Sequence, residues 1–223
     1  MKTLVFDTGP IISLVTDNLL WILNELKKKF QVDFIISSSV RKELVDNALN
    51  TKKFAFEGIL INSFIEKNTL SLYKEKLNIN FLENCVNNIF FASNNPIQLL
   101  QEGEMESLLL SKKINADALV VDERTTRLLI EDPEKLKKLL ENKLHCKIRV
   151  NNQNLKQFHD IVGNIKIIRS SELLFIAYES HLFDKIKNRF TEKDLLNGLL
   201  WGTKLRGCSI SEEEINKVVN AYV

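Results

Sequence analysis

The chain reads as an α/β fold built on a parallel sheet, and three observations carry that reading. Short, continuous apolar runs occur at Leu4-Val5-Phe6, Phe34-Ile35-Ile36 and Ala118-Leu119-Val120-Val121. The stretches between them have helical apolar spacing. Only 7 Gly and 3 Pro occur in 223 residues, which leaves little material for long linkers. A run that is apolar at every position, rather than at every second one, belongs to a strand covered on both faces. Sheets whose crossovers are helices have such strands.

Taken in order, residues 3–6 form a first buried strand. Thr8-Gly9-Pro10 turns the chain, and residues 10–15 begin a helix that resumes over 18–29. Residues 32–36 form a second strand. Ser37-Ser38-Ser39 then offers N-cap hydroxyls for a helix over 40–49. Residues 50–100 read as mostly helical but irregular, with a break at Asn94-Asn95-Pro96. A leucine-rich helix follows over 103–113, and residues 118–121 form a third strand. Asp132-Pro133 has the pattern of an N-cap followed by Pro at the first helical position. Residues 146–150 and 165–168 are weaker strand candidates. The remainder is helical, with a capping box of Ser211 and Glu214 before Ile215, Val218 and Val219. There is no internal repeat.

Hydrophobic residues make up 44% of the chain and charged residues 27%, as expected of a soluble globular protein. The net charge of +2 gives no global sign of nucleic-acid binding. Locally, segment 124–149 holds eight basic and four acidic residues, and segment 185–206 holds six and two. Either is a phosphate-facing patch or a solvated helix face. Cys85, Cys146 and Cys208 lack CxxC pairing, which favours a reduced, cytoplasmic chain over a disulfide framework or zinc site. No apolar stretch approaches 18 residues, so no membrane span is expected. The histidines match no zinc spacing, and neither a phosphate-cradling Gly-rich loop nor a GxSxG elbow is present.

The informative acids stand at strand ends. Asp7 closes the first run, Asp122 closes the third, and Glu43 lies just beyond the second. A carboxylate there is costly to desolvate unless it meets water, a donor or a cation. The carboxyl ends of parallel strands are also where α/β sheets bind ligands. Hard cations such as Mg²⁺ and Mn²⁺ prefer such oxygens, and they assist phosphodiester hydrolysis by activating water and clamping phosphate oxygens. Asp117 lies at the other end of the strand that ends in Asp122, roughly 16 Å away at ~3.3 Å per residue, so the two cannot share an ion. Glu104 and Glu106 are two residues apart, and from within one helix they cannot face one point. Asp7 also suits an N-cap, and Glu43 a first-turn helix acid. Arg124 and Arg127 either meet substrate phosphate or pair with Glu123 and Glu131. Asp17 and Asp46 read as surface charges.

Four segments in order, DTGPIISL, SSSVRKEL, GEMESLLLSKK and ALVVDERTTRLL, resemble the PIN-domain family of metal-dependent nucleases. They are most similar to the branch whose central helix starts Gly-Glu-x-Glu. SSELLFIAYESHLF and LLWGTKLRGCSISEEEINKVV are similar to the C-terminal part of that branch. The chain departs from the family pattern at Val120, where many relatives carry Ser or Thr. The resemblance implies a three-layer sandwich over residues 1–168 with a mostly helical extension over 169–223. It implies catalytic, metal-binding acids at Asp7, Glu43, Glu106 and Asp122. The alignment of the leucines favours Glu106 over Glu104. Thr8, Glu104 and Glu123 then take supporting roles, and Arg124 and Arg127 contact substrate. The implied activity is Mg²⁺- or Mn²⁺-dependent endoribonucleolytic cleavage. RNA is the expected partner, with an antitoxin protein or a second copy of the chain as further partners. A toxin paired with that antitoxin and a non-cleaving scaffold are the alternative functions.

Overall fold

The computed structural model describes residues 2–187 and 189–222. Its strands are β1 (Lys2–Phe6), β2 (Val32–Ile36), β3 (Leu70–Leu72), β4 (Phe90–Ala92), β5 (Asn95–Pro96), β6 (Ala118–Val120), β7 (Ile148–Val150) and β8 (Ile167–Ile168). The helices of the first half are α1 (Thr8–Thr16), α2 (Ile22–Phe30), α3 (Ser38–Arg41), α4 (Ala55–Glu66), α5 (Asn80–Val86) and α6 (Glu102–Lys113). Those of the second half are α7 (Arg124–Glu131), α8 (Pro133–Leu144), α9 (Asn152–Val162), α10 (Ser170–Glu179), α11 (Asp184–Lys187), α12 (Glu192–Leu205) and α13 (Glu212–Tyr222).

Five strands form a parallel sheet in the order β3-β2-β1-β6-β8. Because side chains alternate across a strand, its two faces feed two cores. Phe6, Phe34, Ile36, Leu70 and Val120 pack with α1, α2 and α10 through residues such as Ile11, Leu23 and Leu174. Val5, Leu119 and Val121 pack on the other side with Leu82, Met105, Leu108, Leu128 and Phe158 from α5, α6, α7 and α9. The result is the three-layer α/β sandwich with a central parallel sheet. Phe6 and Phe34 meet edge to face on neighbouring strands, with centroids 5.4 Å apart.

Several local expectations are corrected. Thr8-Gly9-Pro10 is not a turn but the first turn of α1. Pro is tolerated there because the early N–H groups of a helix have no intrahelical partner. The helix expected over 40–49 is α3 followed by a π-helical turn, Lys42–Asn47, which carries Glu43. Such turns are rare and favour functional sites. Residues 50–100 are less helical than expected. They contribute β3 to the main sheet, and β4 and β5 to a second, antiparallel sheet in the order β5-β4-β7. The strand candidate at 146–150 therefore joins this small sheet rather than the parallel one.

In the C-terminal part α10 shares the core of the main sheet, whereas α12 and α13 have a small core of their own around Leu196, Leu200, Ile210 and Ile215. Ser211 and Glu214 bond reciprocally at the start of α13, the Ser211 N–H at 2.7 Å and the Ser211 hydroxyl at 3.1 Å. The buried guanidinium of Arg169 pairs with Glu172 and Glu214 and donates to the Ser209 carbonyl, which ties α10 to this hairpin. All three cysteines are free. Among the described residues no helix is long and apolar enough to cross a membrane.

Candidate active site

Register brings the strand-end residues together. Phe6 is level with Ile36 on one side and with Val120 on the other. Asp7, Ser37 and Val121 therefore leave the sheet at the same edge, with Asp122 one residue on. The strand order also reverses here, since the chain builds β2 and β3 to one side of β1 and later β6 and β8 to the other. Loops diverge at such a switch point and leave a crevice. A pocket of ≈ 660 Å³ opens there, lined by Asp7, Thr8, Glu43, Glu104, Asp122 and Glu123, with Arg206 as the one cation among the described lining residues.

Each acid is held differently. Asp7 occupies the N-cap position of α1 in an extended conformation (φ −79°, ψ 170°), yet its side chain makes no capping hydrogen bond. It is only 6% exposed. Burial, and next the negative charge of Glu104, push its carboxyl up from 3.8 to about 7; the Thr8 amide opposes the rise, the charge of Glu43 adds to it, and the Gly9 amide opposes it least. Asp122, 3% exposed, is fully engaged. Its Oδ1 accepts from the Ser170 N–H at 2.8 Å, and its Oδ2 from the Ser13 hydroxyl at 3.1 Å. The Ser170 hydroxyl lies within reach of both oxygens, at 2.9 and 2.7 Å. Glu43 Oε2 accepts from the Thr8 hydroxyl at 2.9 Å. Glu104 reaches back to the Gln101 N–H at 2.8 Å and takes the Thr126 hydroxyl on its other oxygen. Burial raises the Glu104 pKa, those two bonds oppose the rise, and the charges of Glu123 and Glu43 add to it.

A family model described as PIN domain matches residues 3–134. The chain belongs to the PIN-domain family. Among solved structures, a domain of a functionally unknown protein from Methanocaldococcus jannaschii DSM 2661 is similar at 19% identity and a TM-score of 0.36, over 60% of this chain and 87% of that one. No functionally curated protein shows significant similarity to the chain.

In this PIN domain the expected site residues separate into two groups. Asp7, Thr8, Glu43, Asp122 and Glu123 all line the pocket, and so does Glu104. Glu106 does not. Its Oε2 accepts from the Ser39 N–H at 2.9 Å, and it borders a different cleft with Asn80 and Glu83. Of the two, Glu104 rather than Glu106 lines this pocket. Two residues along a helix turn a side chain by about 200°, and the packing of α6 against the sheet sets which of them faces the pocket. Arg124 and Arg127 on α7 also lie outside the lining, and Arg127 Nε is buried without a hydrogen-bond partner. Asp117 accepts from the Thr3 N–H at the opposite sheet edge. Sequence reasoning assigned no role to Ser13, Ser170, Thr126 or Arg206, although each lies in a segment that carries the family resemblance and Arg206 also ends a basic segment.

Among the described residues no three His, Cys, Asp or Glu converge tightly enough to enclose an ion unaided. The donor set nevertheless suits a hard cation. It consists of carboxylates alone, and Asp7 lies buried beside the negative charges of Glu104 and Glu43. Mg²⁺ and Mn²⁺ prefer oxygen ligands, and Mg²⁺ keeps several waters, so one or two direct carboxylates suffice to hold it.

Proposed function

We propose that this PIN domain is a Mg²⁺- or Mn²⁺-dependent nuclease that hydrolyses RNA phosphodiester bonds in the acidic pocket. PIN domains are generally nucleases and usually bind divalent metals, and the Gly103-Glu104-Met105-Glu106 start of α6 fits the Gly-Glu-x-Glu branch. The observation that carries the reading is the convergence of Asp7, Glu43, Glu104 and Asp122 on one pocket at the sheet's switch point, with the Asp7 carboxyl near 7.

These four residues would hold the cation, which when bound supplies charge neutralisation at the phosphate and a water acidic enough to attack it. The chain's own groups do the positioning. Ser13 and Ser170 fix both oxygens of Asp122, Thr8 orients Glu43, and Thr126 orients Glu104, so the acids do not reorganise as charge develops. Burial of Asp7 keeps bulk water from screening its interaction with a cation. Residues 1–168 would then scaffold the site, and 169–223 would complete it through Ser170 and Arg206.

The test is cleavage of a mixed-sequence single-stranded RNA with Mn²⁺, and of the matching DNA. The Asp7→Asn and Asp122→Asn proteins, folded by circular dichroism, should lose on the order of a hundredfold in rate or more, since cation catalysis is worth several kcal/mol. Cleavage by both variants at the parent's rate would remove the proposal.

A further inference from the structure

The PIN-domain match ends at residue 134, yet the pocket does not close there. Residues far downstream complete it. The Ser209 N–H donates to the Asp122 carbonyl at 3.1 Å, which docks the loop after α12 onto the end of β6. The Ser209 carbonyl in turn accepts from Arg169 Nη1 at 3.1 Å. Between these anchors and α12 the chain reverses at Gly207, with φ +113°, a conformation that favours glycine. This turn leaves Arg206 and Gly207 on the lining of the acidic pocket.

Arg206 is itself oriented. Its Nε donates to Asp17 Oδ1 at 3.0 Å, the only hydrogen bond its guanidinium makes among the described residues. Asp17 was read from sequence as a surface charge, but its side chain is only 16% exposed and its Oδ2 is buried without a partner. Gly202 of α12 makes room for it, because a Cβ there would stand 3.0 Å from Asp17 Oδ2. Asp17 thus holds the guanidinium through Nε, and neither Nη bonds to another described residue. Guanidinium N–H donors match phosphate oxygens in geometry and charge.

We infer that Arg206, positioned by Asp17, is the phosphate-contacting residue of this site, and that the C-terminal hairpin delivers it. The inference rests on the nuclease reading and adds the residue that engages the scissile or an adjacent phosphate. Arg124 and Arg127, the expected candidates, do not line the pocket.

The test compares the parent with Arg206→Gln, Arg206→Lys, Asp17→Asn and the Arg206→Gln/Asp17→Asn double variant on a fluorescent single-stranded oligoribonucleotide with Mn²⁺. A charged hydrogen-bonded contact predicts a loss of about tenfold to a hundredfold in kcat/KM for Arg206→Gln, with partial recovery in Arg206→Lys. The salt slope of binding, read by anisotropy on the Asp7→Asn protein with and without Arg206→Gln, should fall by about 0.7 for one lost phosphate. Asp17→Asn should lower kcat/KM in the same direction but less, and add little to Arg206→Gln. Mn²⁺-linked thermal stabilisation should persist in every Arg206 variant. If the parent cleaves and folded Arg206→Gln stays within twofold of it with an unchanged salt slope, the inference is overturned and the nuclease reading stands. If the parent neither cleaves nor binds the oligonucleotide, both fall together. Additive losses in the double variant would overturn the role of Asp17.

Discussion

Replacing Asp7 with Asn should stabilise the metal-free protein, although most changes to a buried polar residue destabilise. The native carboxyl titrates near 7 instead of 3.8 because it is buried beside Glu104 and Glu43. A carboxyl whose pKa is raised by folding favours the folded state fully below the unfolded value. That advantage is lost as pH rises from about 4 through about 7. At about 1.36 kcal/mol per pH unit the shift corresponds to about 4 kcal/mol at pH 8, an upper bound because local relaxation and water entry reduce it. Asn carries no charge, so in EDTA the Asp7→Asn protein should melt several degrees above the parent at pH 8, at about 2–4 °C per kcal/mol for a domain of this size. The gap should shrink toward zero near pH 4. Mn²⁺ should reverse the order, since it stabilises the parent by about 2.7 kcal/mol at a hundred times its Kd and the variant by much less. Calorimetric melting across pH, with EDTA and with Mn²⁺, measures all of this. An Asp7→Asn protein that melts below the parent by the same margin at pH 5 and pH 8, without metal, would refute the reasoning.

Further outcomes follow from the same geometry. Glu104→Gln should lose RNA cleavage by at least tenfold, whereas Glu106→Gln should retain it and cost about 1 kcal/mol of stability through a weaker bond to the Ser39 N–H, read by denaturant melts beside the assay. Ser170→Ala removes a hydroxyl from a buried carboxylate, so it should cost about 1–3 kcal/mol and lower the rate about tenfold to a hundredfold through misorientation of Asp122. Gly207→Ala should cost about 1–3 kcal/mol from its positive φ and lower kcat/KM by displacing Arg206, seen by melting and kinetics together.

What was legible in the sequence follows from the range of the forces involved. The central strands announced themselves because burial on both faces demands apolar residues at every position, as in Leu4-Val5-Phe6 and Ala118-Leu119-Val120-Val121. Asp7 and Asp122 were visible as acids at the ends of such runs. Glu43 needed the pattern of the other segments, and its π-helical setting left no local mark. β3, β4 and β5 are two or three residues long, and pairing with β2 and β7 specifies them more than their own residues do. The choice between Glu104 and Glu106 depended on which face α6 turns to the pocket, and the packing of α6 against the sheet sets that rather than any local spacing. Ser170 and Arg206 stand 48 and 189 residues from the acids they touch, so no local spacing could reveal them.

The central claim, a carboxylate-held cation at the switch point of the sheet, is tested most directly by a crystal structure with Mn²⁺ and its anomalous signal. A peak within about 2.0–2.6 Å of oxygens from Asp7 and at least one of Glu43, Glu104 and Asp122 is the expected result. Mn²⁺ bound beside Glu106 instead, or no peak in the acidic pocket at saturating metal, would contradict it.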